Sequence, residues 1–465
     1  MESNDKHQRT IPSMEKYPSS GLSVIVVGGG IAGLGFAIEA CRKSHNVRVL
    51  ERRPQFVELG DLMVLQSSAL HTPKLWPGFL EMLASCQYNS PNYFKKFDGT
   101  FIGAHHPGSK DAPSTYVNRA KFHGILEEYA RQQCIDIEYS ANVVEYFETN
   151  DAAGVKFDDG HSRIADVIVA ADGVGTKSWG LLHGSKAEPI NSGFAVTRVT
   201  FPAGPALENL VIVKEFEGFS HRVSLHVGPD SHMVVGKTDI EICWLLNHPD
   251  TDGAVEDWSY KASSDIALLH VEGWHPFFKE LINATPNHEV TNWKLMWRNA
   301  PPTWVSPMGR VVQIGDAAHT FLPTSASGAT MALEDGYSLA ACLEKGGRER
   351  VALATRVHNN LRYERVSCAQ RMGLKNRENF HKTDWDYVRE HPEVLTSTIG
   401  LWLIHHNPEK YAIENFESCA AHIEEGKTFQ NTNAVPGYTW KPWTIEQLLA
   451  ATDNGEEILD EGDWS

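Results

Sequence analysis

The sequence predicts an α/β fold: a parallel-sheet, Rossmann-like domain, interrupted by an inserted β-rich domain and followed by a helical C-terminal extension. Three observations predict it. The β-branched run Ser23 to Val27 (SVIVV) leads directly into Gly28-Gly29-Gly30-Ile31-Ala32-Gly33, and then into apolar residues at helical spacing. A second run of the same buried-strand type, Arg310 to Ile314 (RVVQI), recurs far downstream and ends on Gly315-Asp316. Between them, from Phe194 to about Lys237, the apolar period changes to alternation, as in antiparallel sheet.

The chain has 465 residues, more than one simple core organises. With 42% apolar, 22% charged and 10% aromatic residues it has the composition of well-packed cores, not of a fibre or a disordered chain. The formal charge of −17 repels nucleic acid and anionic lipid, so neither is expected as a partner. Seven cysteines, an odd number with no C-x-x-C pair, suit the reduced thiols of an intracellular protein. Residues 1–22 are polar, without the apolar stretch of a signal peptide. No apolar run, Ile399 to Ile404 included, approaches the ~20 residues that span a bilayer. A cytoplasmic protein is expected.

In chain order, a polar leader occupies 1–22 and the first part of the nucleotide-binding domain 23–190. This part opens with a βαβ unit whose second strand, Val47 to Leu50, ends on Glu51. A helix over 119–133 follows from Phe122, Ile125, Leu126 and Tyr129 at helical spacing. Val143 to Phe157 and Ile164 to Ala170 read as strands, and Asp172-Gly173 follows the second. The β-rich substrate domain is placed at 191–305. The nucleotide-binding domain resumes at 306–365, with a helix from about Ser327 to Lys345. The extension, 366–465, is helical to about Glu425, then rich in Pro, Trp and Asn, with an acidic end and no internal repeat.

Two segments carry the chemistry. In the first, Gly28 permits a tight turn, Gly30 lets backbone approach a pyrophosphate, and Gly33 allows close helix–strand packing. The helix N-terminus offers unpaired N–H groups to the anion. Glu51, eighteen residues after Gly33, can accept from ribose hydroxyls. In the second, Asp316 at a strand end can hold the hydroxyls of a polyol. The helix opening near Gly328 and Ala329 would point its positive end back beyond the strand, which suits an anionic reduced isoalloxazine; a plain strand–loop–helix with an Asp N-cap is the alternative.

Together these segments resemble the class A flavoprotein monooxygenases, the family of para-hydroxybenzoate and salicylate hydroxylases. The resemblance covers nearly the whole chain. It implies FAD, with the glycine fingerprint and Glu51 on its ADP half and Gly315-Asp316-Ala317-Ala318-His319 on its ribityl–pyrophosphate end. It further implies cofactor contacts from the Val64 backbone, from Arg119 at the head of its helix, and from Asp172 of the D-G motif. NADPH is implied as a transient co-substrate and O₂ as the oxidant, through a flavin C4a-hydroperoxide that hydroxylates or epoxidises an electron-rich aromatic or alkene. The tail (FQNTN, PGY, KPWTIEQLL and GDWS) resembles fungal enzymes of secondary metabolism.

Arg198, in GFAVTR, matches the arginine that fungal members place opposite the flavin, where it would orient a phenolate or stabilise a developing alkoxide. A surface-paired strand arginine is the alternative. His319 fits cofactor packing better than acid–base catalysis. The sequence departs from the family at Asp172 to Trp179 (DGVGTKSW), where the closing arginine is missing and Lys177 could substitute. It departs also at Ala326-Ser327-Gly328, which keeps only the second family glycine, and at Gly60-Asp61-Leu62-Met63. HRVSLHV has no tyrosine where some members carry one, Leu225 standing near the place. Histidine spacing gives no metal motif, and no G-x-S-x-G elbow is present. The rival functions are a flavin oxidase or dehydrogenase on the same scaffold, a catabolic phenol hydroxylase, and a non-catalytic FAD protein.

Overall fold

The computed structural model describes residues 13–465, apart from 59, 186–187, 252, 258–259, 383, 392–398, 455 and 457–460. Residues 1–12 of the polar leader thus lie outside the described residues. A five-stranded parallel sheet runs in the order Val311–Gln313, Val167–Ala170, Ser23–Val27, Asn46–Leu50, Asp136–Glu138. Its central strand is apolar on both sides because both faces are covered. Val24 and Val26 join a core that includes the helices Ile31–Arg42 and Gly328–Gly346. Ile25 and Val27 pack instead on a three-stranded antiparallel sheet of residues 143–165. The two helices touch closely: a Cβ on Gly336 would lie 2.9 Å from the backbone nitrogen of Phe36.

An eight-stranded sheet forms the second body, in the order Lys261–Ser263, Glu289–Trp297, Ile190–Pro202, Glu241–Pro249, Ser231–Lys237, Arg222–Gly228, Asn92–Lys96, Phe101–His105. One face buries Met233, Val235, Trp244 and Leu246 in a core that includes Phe277 and Leu281 of the helix Pro276–Asn283. Its last two strands come from inside the segment 23–190. The hairpin 92–105 joins it by a parallel pairing of Asn92–Lys96 with Arg222–Gly228, which buries Phe94 and Ile102 with Leu225 and Val227. The β-branched run Leu210–Phe216, inside the stretch expected to alternate, is a helix. The Asn209 side chain caps it, and Ile212 and Phe216, one turn apart, are its buried residues.

The helix Val351–Lys382 runs unbroken across residue 365, and Pro408–Glu425 adds Ala412, Phe416, Cys419 and Ala420 to the first core. Arg365 ties the extension down. Its guanidinium donates to the carbonyls of Trp402 (3.0 Å), Leu403 (2.8 Å) and Asn433 (2.8 Å) while pairing with Glu334. Among the described residues, no helix is long and apolar enough to cross a membrane.

Candidate active site

Four sequence-predicted segments emerge at the carboxyl ends of adjacent parallel strands: Gly28 after Ser23–Val27, Glu51 after Asn46–Leu50, Asp172 after Val167–Ala170, and Asp316 after Val311–Gln313. The strand order reverses at Ser23–Val27, which has its chain successor on one side and a distant strand on the other. Such a switch point opens a crevice for ligand. The three fingerprint glycines divide the work. A Cβ at Gly33 would stand 2.0 Å from the Gly28 carbonyl oxygen, and one at Gly28 (φ +108°) 2.3 Å from that of Ala171. At Gly30 a Cβ would meet nothing within 4 Å. Gly28 and Gly33 therefore serve the fold, and Gly30 leaves an open cradle beside a helix N-terminus that no side chain caps.

Glu51 accepts from the Gly29 amide (2.9 Å, Oε2) and the Arg53 amide (2.9 Å, Oε1), so its carboxylate is fixed toward the glycine loop. From the helix Arg119–Gln132, the His123 ring donates through Nε2 to the Gly29 carbonyl (2.6 Å), locking the same peptide from its other side. Burial pulls the His123 imidazole below its ordinary value, keeping it neutral at pH 7. His123 carries no motif of its own in the sequence, although it lies one turn from Arg119. Arg119 itself lies within electrostatic reach of both Asp316 and Asp61.

Asp316 keeps an exposed side chain between buried Gly315 and Ala317, yet surrounding protein raises its carboxyl. Both hold at once for a group lining an open cleft inside the molecule. Behind it, Asp335 of the helix Gly328–Gly346 accepts from the Gly315 amide (3.0 Å) and from His319 Nε2 (2.6 Å), and pairs with Arg362 (2.9 Å). His319 is fully buried and shapes the turn that presents Asp316. Gly328 and Ala329 head their helix without a side-chain cap. Ala326, where the family keeps a glycine, is held at φ +50°, in the left-handed region.

Arg198 projects from the face of the large sheet opposite its helical core, and meets Asp61, 3.5 Å away, from the loop after Glu51. That loop is one of the departures noted in the sequence, and no local pattern marked Asp61 as the partner. Thr200 donates to Asp61 Oδ1 (2.8 Å), and the Asp61 carbonyl accepts from the Arg119 amide (2.6 Å), so one loop connects both arginines. Burial lowers the Arg198 guanidinium to about 10, against the pull of Asp61, and it stays charged at neutral pH. Val64 sits in the short strand Leu62–Leu65, beside this loop. Asp172 accepts from the Tyr146 hydroxyl (2.7 Å), while burial raises its carboxyl. A cavity of about 200 Å³ lies between Phe194, Asn247 and Leu295 on the sheet and Pro323-Thr324 beyond Asp316. A larger one, about 410 Å³, adjoins it at Leu322 and reaches Arg298 and Thr320 under the C-terminal helix Ile445–Asp453.

A family model described as an FAD binding domain matches residues 21–356. The chain is 34% identical to the FAD-dependent monooxygenase fsr3 of Gibberella fujikuroi, over 97% of this chain and 91% of that one. The chain belongs to the FAD-dependent monooxygenases. A second such monooxygenase, dmxR9 of a Cryptosporiopsis species, is also 34% identical over 97% of this chain and 91% of its own. The solved structure of FqzB superposes with TM-score 0.81 at 29% identity, covering 92% of this chain and 99% of that one. CtdE in complex with FAD and a substrate superposes with TM-score 0.80 at 28% identity, covering 86% and 99%. This monooxygenase shares its fold, at TM-score 0.67 and 23% identity, with a salicylate hydroxylase.

Proposed function

We propose that this monooxygenase uses NADPH and O₂ to insert one oxygen atom into an electron-rich aromatic or alkene small molecule, in fungal secondary-metabolite biosynthesis. The carrying observation is a set of groups linked through Arg119: the Gly30 cradle at the strand ends, exposed Asp316, and the Arg198–Asp61 pair, with Arg119 in electrostatic reach of both aspartates. The residues fit FAD: an unfilled cradle at a helix N-terminus suits a pyrophosphate, and a carboxylate open to the cleft suits hydroxyls. Bound FAD would supply the redox chemistry, accepting hydride from NADPH and activating O₂.

In this reading Gly28, Gly30 and Gly33 shape the pyrophosphate site and Glu51 takes the ribose. Arg119 and Asp316 hold the phosphate and polyol portion, with Asp172 and the Val64 backbone as further contacts. The uncapped N–H groups at Gly328 and Ala329 would offer positive potential to an anionic flavin. Arg198 is the catalytic cation. It binds a substrate oxygen and stabilises negative charge that develops there, with Asp61 as its ion-pair partner.

The test supplies ¹⁸O₂ and NADPH with a panel of phenols and reads labelled product by mass spectrometry. Wild type is expected to give product carrying one ¹⁸O. Arg198→Gln is expected to stay yellow and lose at least about a hundredfold in turnover, the cost of removing one preorganised donor. Substrate oxidation that yields only hydrogen peroxide and unlabelled product would instead make the protein an oxidase.

A further inference from the structure

Between the large sheet and the short sheet of residues 62–118 lies a space whose walls the folding core leaves half-covered. On the large sheet Arg198, Leu245 and Val234 stand in register across three neighbouring strands. All three are part-exposed, whereas the adjacent Val235 and Leu246 are fully buried. The Trp293 ring flanks the group, 5.8 Å from the Arg198 guanidinium. On the short sheet Val64 pairs with Tyr116, so their side chains share a face. Tyr116, Val234 and Leu245 pack on one buried cluster of Tyr88, Val223 and Cys243, and Leu245 is the cross-strand neighbour of Arg198.

The Tyr116 hydroxyl is an unspent donor. Among the described residues it makes no hydrogen bond, although Tyr88 beside it donates to Glu241 (2.8 Å). Nor is its oxygen a sealed orphan, for it remains open to the space it faces. Burial raises the phenol above its ordinary value, so it stays protonated and donates at physiological pH.

We propose that this space is a two-point site for a hydroxyaryl carbonyl compound. Its phenol or enol oxygen lies on Arg198, and its carbonyl oxygen accepts from Tyr116. This rests on the monooxygenase reading above and adds a specificity-determining residue and a substrate class. Both polar walls offer donors, so the ligand brings acceptors, and the apolar remainder suits a flat ring system. Asp61 stands beside Arg198, so a free carboxylate on the ligand would face a second carboxylate, which disfavours hydroxyaryl acids.

The experiment titrates FAD-loaded protein with 1-hydroxy-2-acetonaphthone, 1-naphthol and 1-hydroxy-2-naphthoate, following the flavin absorbance. Wild type is expected to bind the ketone most tightly and the acid least. Tyr116→Phe is expected to weaken the ketone about tenfold, the worth of one hydrogen bond in a desolvated site, and to leave 1-naphthol unchanged. Its unfolding temperature and FAD content are expected to match wild type, since no internal bond is lost. Arg198→Gln weakens ketone and naphthol alike. A ketone preference that survives in Tyr116→Phe, tightest binding of the acid, or the absence of any spectral response in protein that retains FAD would overturn the proposal. Failure to hold FAD at all would instead overturn the cofactor reading beneath it.

Discussion

At the residue scale, the fingerprint glycines separate folding from binding. A methyl at Gly33 would collide with backbone, so Gly33→Ala is expected to destabilise the protein by about 1–3 kcal/mol, the usual cost of overpacking. A methyl at Gly30 meets only open space, so Gly30→Ala is expected to keep the wild-type unfolding temperature without cofactor and to bind FAD at least tenfold more weakly. Thermal melts with and without FAD check both, and equal effects of the two substitutions would contradict the division. Ala326→Gly is expected to stabilise by about 1 kcal/mol, because only glycine adopts left-handed φ without cost. These positions were legible because their spacing has a mechanism. Asp61 and Tyr116 were not, since a partner across a domain junction leaves no mark on neighbouring sequence.

At the element scale, the helix Gly328–Gly346 is the junction of the molecule. Asp335 holds the Gly315 turn and Glu334 holds Arg362 and Arg365, through which the C-terminal extension is fastened. Removing one member leaves a buried charge unpaired, so Arg365→Met is expected to cost about 3–5 kcal/mol. It should also expose residues 426–444 to protease before the central sheet unfolds, which limited proteolysis with mass mapping would show. Cleavage no faster than in wild type would contradict it. The buried parallel strands and the long helices were readable from periodicity. The hairpin 92–105 was not, because its parallel pairing with a strand about 130 residues away is non-local. Nor was Leu210–Phe216, where the Asn209 cap and burial at i and i+4 override β-branched propensity.

At the scale of the whole molecule, the buried ion network sets acid stability. Burial alone would raise the Asp335 carboxyl, but His319 and Arg362 overcome it and hold it at about 2, below the ordinary 3.8. A carboxylate held low in the folded state contributes stability that is complete above its unfolded value and is lost as pH falls through the folded one. The unfolding temperature is therefore expected to drop between about pH 4 and pH 2. Asp335→Asn should start lower and fall less steeply there, and an equal slope would contradict the assignment. Function in this fold depends on one FAD spanning segments far apart in the chain. Calorimetric titration of apoprotein with FAD and with ADP tests that directly. Glu51→Ala is predicted to weaken both ligands, and Asp316→Ala to weaken FAD while leaving ADP at its wild-type affinity; unaltered FAD binding by Asp316→Ala would contradict it.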